Sequence, residues 1–230
     1  MKRKKKAAFF LAVLFAVSLC LAGPGDSVKA ENTKNVRYYY NQLSSEAKPV
    51  YDAMYAMYEQ GILKTGTERY DLVAGGHFTK EQLAAYGGNY DGLLKSFGAA
   101  RDAFYADYPD IFYVDFSAFS ITVEGNEQNG YSAYLGAKDE KSTYFTKGFE
   151  DKQQVEKALG DHEAKVNGIA RDAKKAGTVK EQVIAAHQAV IDSTVYRGED
   201  NCSAGSKGHI RTSYGAIVKG ESLCEGYARA

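Results

Sequence analysis

The first thirty residues constrain this chain more than any other stretch. Lys2, Arg3, Lys4, Lys5 and Lys6 form a basic cluster, Ala7 to Ala22 run apolar without a charge, and Gly23, Pro24 and Gly25 break the run. Val28-Lys29-Ala30 then offers small residues at the two positions a signal peptidase reads. That order is the order of a secretory signal peptide, with cleavage expected after Ala30. An uncleaved membrane anchor is the competing reading, but the run of 16 residues falls short of the roughly 20 that span a bilayer. Lipidation at Cys20 is disfavoured by the bulky Leu19 before it and by the apolar residues that continue past it. The folding unit is therefore residues 31–230. It is expected to be secreted or associated with the cell envelope, meeting a membrane only through the leader before cleavage.

Removing the leader changes the charge. The whole chain carries 29 basic and 29 acidic residues; without residues 1–30, which hold six basic residues and Asp26, 23 basic residues face 28 acidic ones. A mildly acidic body lacks the basic footprint of a general nucleic-acid binder. Hydrophobic content of 44% with 25% charged residues is globular rather than disordered. Cys20 leaves with the leader, so Cys202 and Cys224 remain in an oxidising compartment. Two readings stay open: one disulfide between them, or one reactive thiol. The 18 tyrosines and absent tryptophan admit glycan binding, but most tyrosines stand at helical or strand spacing, which favours a core role with hydrated hydroxyls.

Periodicity places an α+β region first. Val50, Met54, Met57 and Tyr58 recur at helical spacing behind Ser44 and Ser45 as candidate caps, with Pro49 in the first turn and Gly61 as the stop. Phe78 to Tyr86 reads as a short helix capped by Thr79. Tyr90 to Tyr108 reads as a long one, with Leu93, Leu94, Phe97, Phe104 and Tyr105 on one face and Pro109 as terminator. Ile111 to Val114, Phe119 to Val123 and Tyr131 to Leu135 read as strands, the last two joined across Glu124 to Gly130. Asp151 to Lys175 and Lys180 to Thr194 read as helices, the second with Val183, Ile184, His187, Val190 and Ile191 along an apolar face. Arg197 to Gly208 reads as a loop. The domain expectation is a leader at 1–30, an α+β region at 31–150 with a small antiparallel sheet, and a second, helical part at 151–230.

The chemistry sits at the end of the chain. Thr212 or Ser213 can cap a short apolar turn that Gly220 ends. Ser222 and Glu225 have the spacing of a capping box, which places Cys224 in the first turn of a new helix. There the free N–H groups and the helix dipole favour a thiolate and can hold an oxyanion. A buried cysteine at an ordinary helix start is the plainer alternative.

Gly215-Ala216-Ile217-Val218, then Gly220, then Ser222-Leu223-Cys224-Glu225-Gly226-Tyr227-Ala228 resembles the nucleophile motif of the transglutaminase-like superfamily. Softer likenesses to secreted, multi-helical bacterial members run through Tyr105 to Val114 and Asp192 to Tyr196. The resemblance implies a papain-like mechanism. Cys224 would attack an amide carbonyl of protein or peptidoglycan peptide and form a thioester, which passes to an amine or to water. It implies no metal and no organic cofactor. Gly226 would permit close packing of the cysteine helix, and Tyr227 and Ala228 would pack it onto a sheet. In that family the histidine and aspartate partners follow the cysteine, whereas His77, His162, His187 and His209 all precede it. Residues 151–230 are therefore expected to be the start of a papain-like core lacking its sheet and triad partners, and residues 31–230 to be inactive alone. The rival expectation is a non-catalytic envelope-binding or adhesion module of the same fold.

Overall fold

The computed structural model describes residues 37–72, 79, 82–86, 90–126, 128 and 130–230. The expected leader, His77 and Phe78 lie outside them. Arg37–Ala230 cluster as one compact unit, of class α+β.

Helix α1, Lys48–Glu59, buries Val50, Tyr51, Met54 and Met57 on one stripe. Its N-cap is Ala47 without a side-chain bond, and Pro49 stands in the first turn, where a missing N–H costs little. Ser44 acts one turn earlier than expected: its carbonyl accepts from Lys48 N–H at 3.2 Å. Gly61 follows the helix with φ +71°. Thr79 caps the 3₁₀ turn Gln82–Tyr86, accepting from Gln82 N–H at 3.3 Å while Gln82 Oε1 accepts from Thr79 N–H at 2.7 Å.

Helix α2, Tyr90–Asp107, turns Leu93, Phe97, Ala100 and Phe104 inward. Leu94, expected on that face, is exposed, because its place one residue on rotates it about 100° around the axis. The Asp107 carboxylate ties the N-terminal segment to both helices. It accepts from Tyr39 and Tyr40 N–H groups at 3.1 Å and from the Tyr51 hydroxyl at 2.8 Å.

The sheet is a three-stranded antiparallel one in the order β1-β3-β2, with β1 Tyr70–Asp71, β2 Phe119–Asn126 and β3 Gly130–Ala137. Phe119 and Ile121 alternate inward on β2, and Ile121 faces Leu135 across the ladder. The hairpin is the expected one, extended to Asn126 and Gly130. Ile111 to Val114 is not a strand. All four side chains are buried, which an alternating strand on a two-faced sheet does not do. The segment is a turn, with Val114 N–H on Ile111 O at 3.0 Å and a single bridge from Val114 to Phe145.

Two further helices follow. Asp151 caps α3, Lys152–Ala173, accepting from Gln154 N–H at 2.8 Å. Thr178 caps α4, Val179–Ser193, in a reciprocal box with Glu181. Phe112 stacks on Tyr214 at 4.8 Å and meets His162 at 5.0 Å, so α3 and the C-terminal segment share the aromatic core. The expected apolar face of α4 is mostly uncovered: Val190 is buried, whereas Val183, Ile184, His187 and Ile191 are exposed. Among the described residues no helix is long and apolar enough to cross a membrane.

Candidate functional site

The C-terminal segment is seated by its own polar groups before Cys224 is reached. Val195 and Tyr196 (β4) pair in parallel with Glu221 and Ser222 (β5). Thr212 Oγ1 caps the expected apolar turn, accepting from Gly215 N–H at 3.1 Å. That turn, Gly215–Lys219, is π-helical and closes when Gly220, at φ +69°, donates to Gly215 O. A side chain at Gly220 would be strained in that left-handed conformation. The Ser213 hydroxyl donates to Pro109 O at 2.7 Å, and Thr194 Oγ1 to Ala216 O at 3.0 Å. These bonds fix where β5 ends and where the next helix must begin.

Helix α5, Cys224–Arg229, starts at the cysteine itself. The expected capping box is absent. The N-cap is Leu223, which has no side-chain bond. The buried Ser222 hydroxyl turns inward instead, to Ile210 O at 3.1 Å and Leu223 O at 2.9 Å. Leu223 N–H joins the same Ile210 carbonyl at 2.8 Å. Glu225, freed from capping, pairs with Arg229 at 3.2 Å and Arg211 at 3.7 Å. The Ile210 carbonyl thus accepts from both the Ser222 hydroxyl and Leu223 N–H, and the hydroxyl is taken out of capping.

Cys224 is exposed, a free thiol in the first turn. The N–H groups of that turn have no acceptor within the helix. Arg211 stands beside it: its guanidinium is held above its ordinary range chiefly by the hydrogen bond to Glu199, with smaller contributions from Glu225 and Cys224. Gly226 is buried, and a Cβ there would come within 2.8 and 2.9 Å of the Ile210 and Thr212 carbonyls and closer still to Ser222 Oγ. So the glycine is a condition for the helix to lie where it does. The Tyr227 hydroxyl donates to Thr194 O and its ring stacks on Tyr196 at 6.4 Å. Arg229 lies 3.3 Å above the Tyr105 ring and donates to Tyr105 O at 3.1 Å. Tyr227, Ala228 and Ala230 border an apolar groove of about 620 Å³ whose other walls include Val166, Val190 and Ile217.

The histidines lie elsewhere. His162 is buried on α3 against Phe112, with Nε2 unpartnered. His209 is buried between Phe149 at 4.8 Å and Tyr214 at 5.2 Å, with Nδ1 unpartnered. Burial pushes the His209 imidazole down to about 4, with Lys219 adding to the effect. Burial lowers His162 as well, against a smaller opposing effect of Asp110. His187 is exposed on α4. Among the described residues no histidine hydrogen-bonds Cys224, and no group of three or more His, Cys, Asp or Glu is placed to hold a metal ion. Sequence reasoning missed the pair of Arg211 with Glu199 and Glu225, the last being the neighbour of Cys224; Arg211 and Glu199 sit in a loop with no periodic signal.

No protein-family model, curated protein or solved structure matches the chain.

Proposed function

We propose that Cys224 is the nucleophile of an exported, transglutaminase-like cysteine enzyme acting on amide bonds of protein or cell-wall peptide. One observation carries the reading: the exposed thiol opens a helix inside Gly215-Ala216-Ile217-Val218-Lys219-Gly220-Glu221-Ser222-Leu223-Cys224-Glu225-Gly226-Tyr227-Ala228. The position supports it physically. The first-turn N–H groups have no acceptor within the helix and can hold the negative charge that develops on a carbonyl oxygen during attack. The acyl group would move from the substrate nitrogen to sulfur as a thioester, then to an amine or water. The family this reading draws on uses a histidine base and an orienting aspartate, and no histidine among the described residues hydrogen-bonds Cys224, so these 230 residues alone are predicted to show no turnover.

The test is alkylation. Iodoacetamide near neutral pH is expected to label Cys224 several-fold faster than Cys202 in the folded chain, and the difference to vanish in urea. Equal folded rates would sink the proposal. A second reading, a non-catalytic envelope-binding module, draws on the burial of His162 and His209 in aromatic surroundings away from the thiol. Slow labelling of Cys224 is what that reading requires.

A further inference from the structure

We propose that Cys202 and Cys224 form a reversible redox couple in which a hydroperoxide drives disulfide formation and so removes the nucleophile. The inference rests on Cys224 being nucleophilic, since that thiolate takes the first step. Its geometric basis is the loop 197–203, which returns to the start of α5.

The β4–β5 ladder continues past Tyr196: Arg197 N–H bonds Ser222 O at 3.0 Å, two residues before Cys224. The chain then doubles back. Cys202 N–H bonds Gly198 O at 3.0 Å, and Asn201 Oδ1 accepts from Gly198 N–H at 2.7 Å, so Cys202 is folded against the residue that follows Arg197. Ser203 N–H bonds the Glu221 carboxylate at 2.8 Å. Arg211 completes the frame, holding Glu199 at 2.9 Å on the loop side and Glu225 at 3.7 Å beside Cys224. Two direct ties and the Arg211 bridge thus bring the loop that carries one thiol to the segment that carries the other. Both thiols are free; Cys202 is half-buried and its Sγ donates only to Glu199 O at 3.5 Å.

The loop can also give. A disulfide needs its Cα atoms within about 7 Å, and among the ties that hold the loop the Arg211 ion pairs are exposed and of small individual worth. The Arg211–Glu199 pair is 56% and 54% exposed.

The chemistry balances without any further reagent. The Cys224 thiolate attacks one peroxide oxygen, the O–O bond breaks, and hydroxide leaves with the electron pair; sulfur is oxidised to sulfenic acid. The Cys202 thiolate attacks that sulfur, the S–S bond forms, and a second hydroxide leaves. The two thiol protons convert the hydroxides to water, so two thiols and one hydrogen peroxide give one disulfide and two waters. An external dithiol reverses the step.

The experiment treats the reduced full chain with equimolar hydrogen peroxide, blocks remaining thiols with iodoacetamide and digests with trypsin. Mass spectrometry is expected to find peptide 198–207 joined to peptide 220–229 as the main fate of Cys224, lost on adding dithiothreitol. Cys202→Ser and Cys202→Ala should instead stop Cys224 at the sulfenic acid with one equivalent of peroxide, trapped with dimedone, and carry it to sulfinic and sulfonic acid when three or more equivalents are supplied, where wild type stays linked. Wild type over-oxidised to the same extent as these variants, or both cysteines recovered alkylated, would overturn the couple. The outcomes separate from those of the alkylation test. Fast labelling of Cys224 without the linked pair ends the couple alone. Linked peptides with slow labelling end the catalytic reading and, with it, Cys224 as the thiol that meets the peroxide.

Discussion

At the scale of single residues, His209 shows what burial does to a proton. Its imidazole is 5% exposed between aromatic rings and titrates at about 4 rather than 6.5. The unfolded chain therefore takes up its proton first as pH falls. Stability is full above about 6.5, drops between 6.5 and 4, and is flat in this group below 4. The shift predicts a loss of up to roughly 3 kcal/mol across that window. His162 adds in the same direction. Urea unfolding at pH 7 and pH 4.5 should show the drop, and His209→Phe should flatten much of it; an unchanged slope in the variant would place the effect elsewhere. Gly226 is a second residue with a defined consequence. Because its missing Cβ leaves room for two carbonyls and Ser222 Oγ, Gly226→Ala is expected to cost about 2 kcal/mol by overpacking. It should also displace the start of α5, which faster proteolysis after Arg229 or Arg211 would report.

At the scale of elements, the two C-terminal helices stand on different supports. The capping box of α4 satisfies two N–H groups, so Thr178→Ala should lower stability by about 1 kcal/mol. Val183 on the same helix is 63% exposed, and Val183→Gln is expected to stay within about 0.5 kcal/mol of wild type. Val155→Ala, at a fully buried site on α3, should cost about 2 kcal/mol. Thermal unfolding of the three variants tests the order. These cases also show what a sequence reveals. The helices around Met54 and Phe97 were legible because a local period and a local stop signal agree with the tertiary burial. So was the β2–β3 hairpin, whose partners are close along the chain. Ile111 to Val114 misled because β-branched and aromatic composition reports burial, and a buried turn has it too. The Ser222–Glu225 box misled for another reason. The spacing is real, but Ile210 O is a partner twelve residues away, invisible to local reading. Likewise the apolar residues of α4 announce a face, and nothing in their spacing says whether anything covers it.

At the scale of the whole molecule, one carboxylate gathers the N-terminal segment onto the helical pair. Asp107 accepts from two backbone N–H groups and the Tyr51 hydroxyl. Asp107→Ala would take away the carboxylate that accepts from the buried Tyr51 hydroxyl, a cost of about 2 kcal/mol. Hydrogen exchange at Tyr39 and Tyr40 should rise well before exchange in the β2–β3 hairpin does; uniform loosening would argue against a local anchor. The placement of Cys224 likewise belongs to the whole chain: Pro109, Tyr105, Thr194 and Ile210 all contribute carbonyls to the segment that carries it. That dispersal is why the motif could be read along the sequence while its surroundings could not.

The parallel β4–β5 pair has a further consequence. It joins residues 195–196 to 221–222, and the stretch between them enters the core at Ile210 and Thr212 to Ile217. Severing the peptide bond after Asp200, at the loop tip, would therefore not release the tail. The piece that carries Cys224 would remain seated by buried side chains and carbonyl contacts alone, and the nicked protein should elute as one species until denaturant separates its halves. The thiol-bearing end is, in effect, a subunit that happens to share a chain with its host.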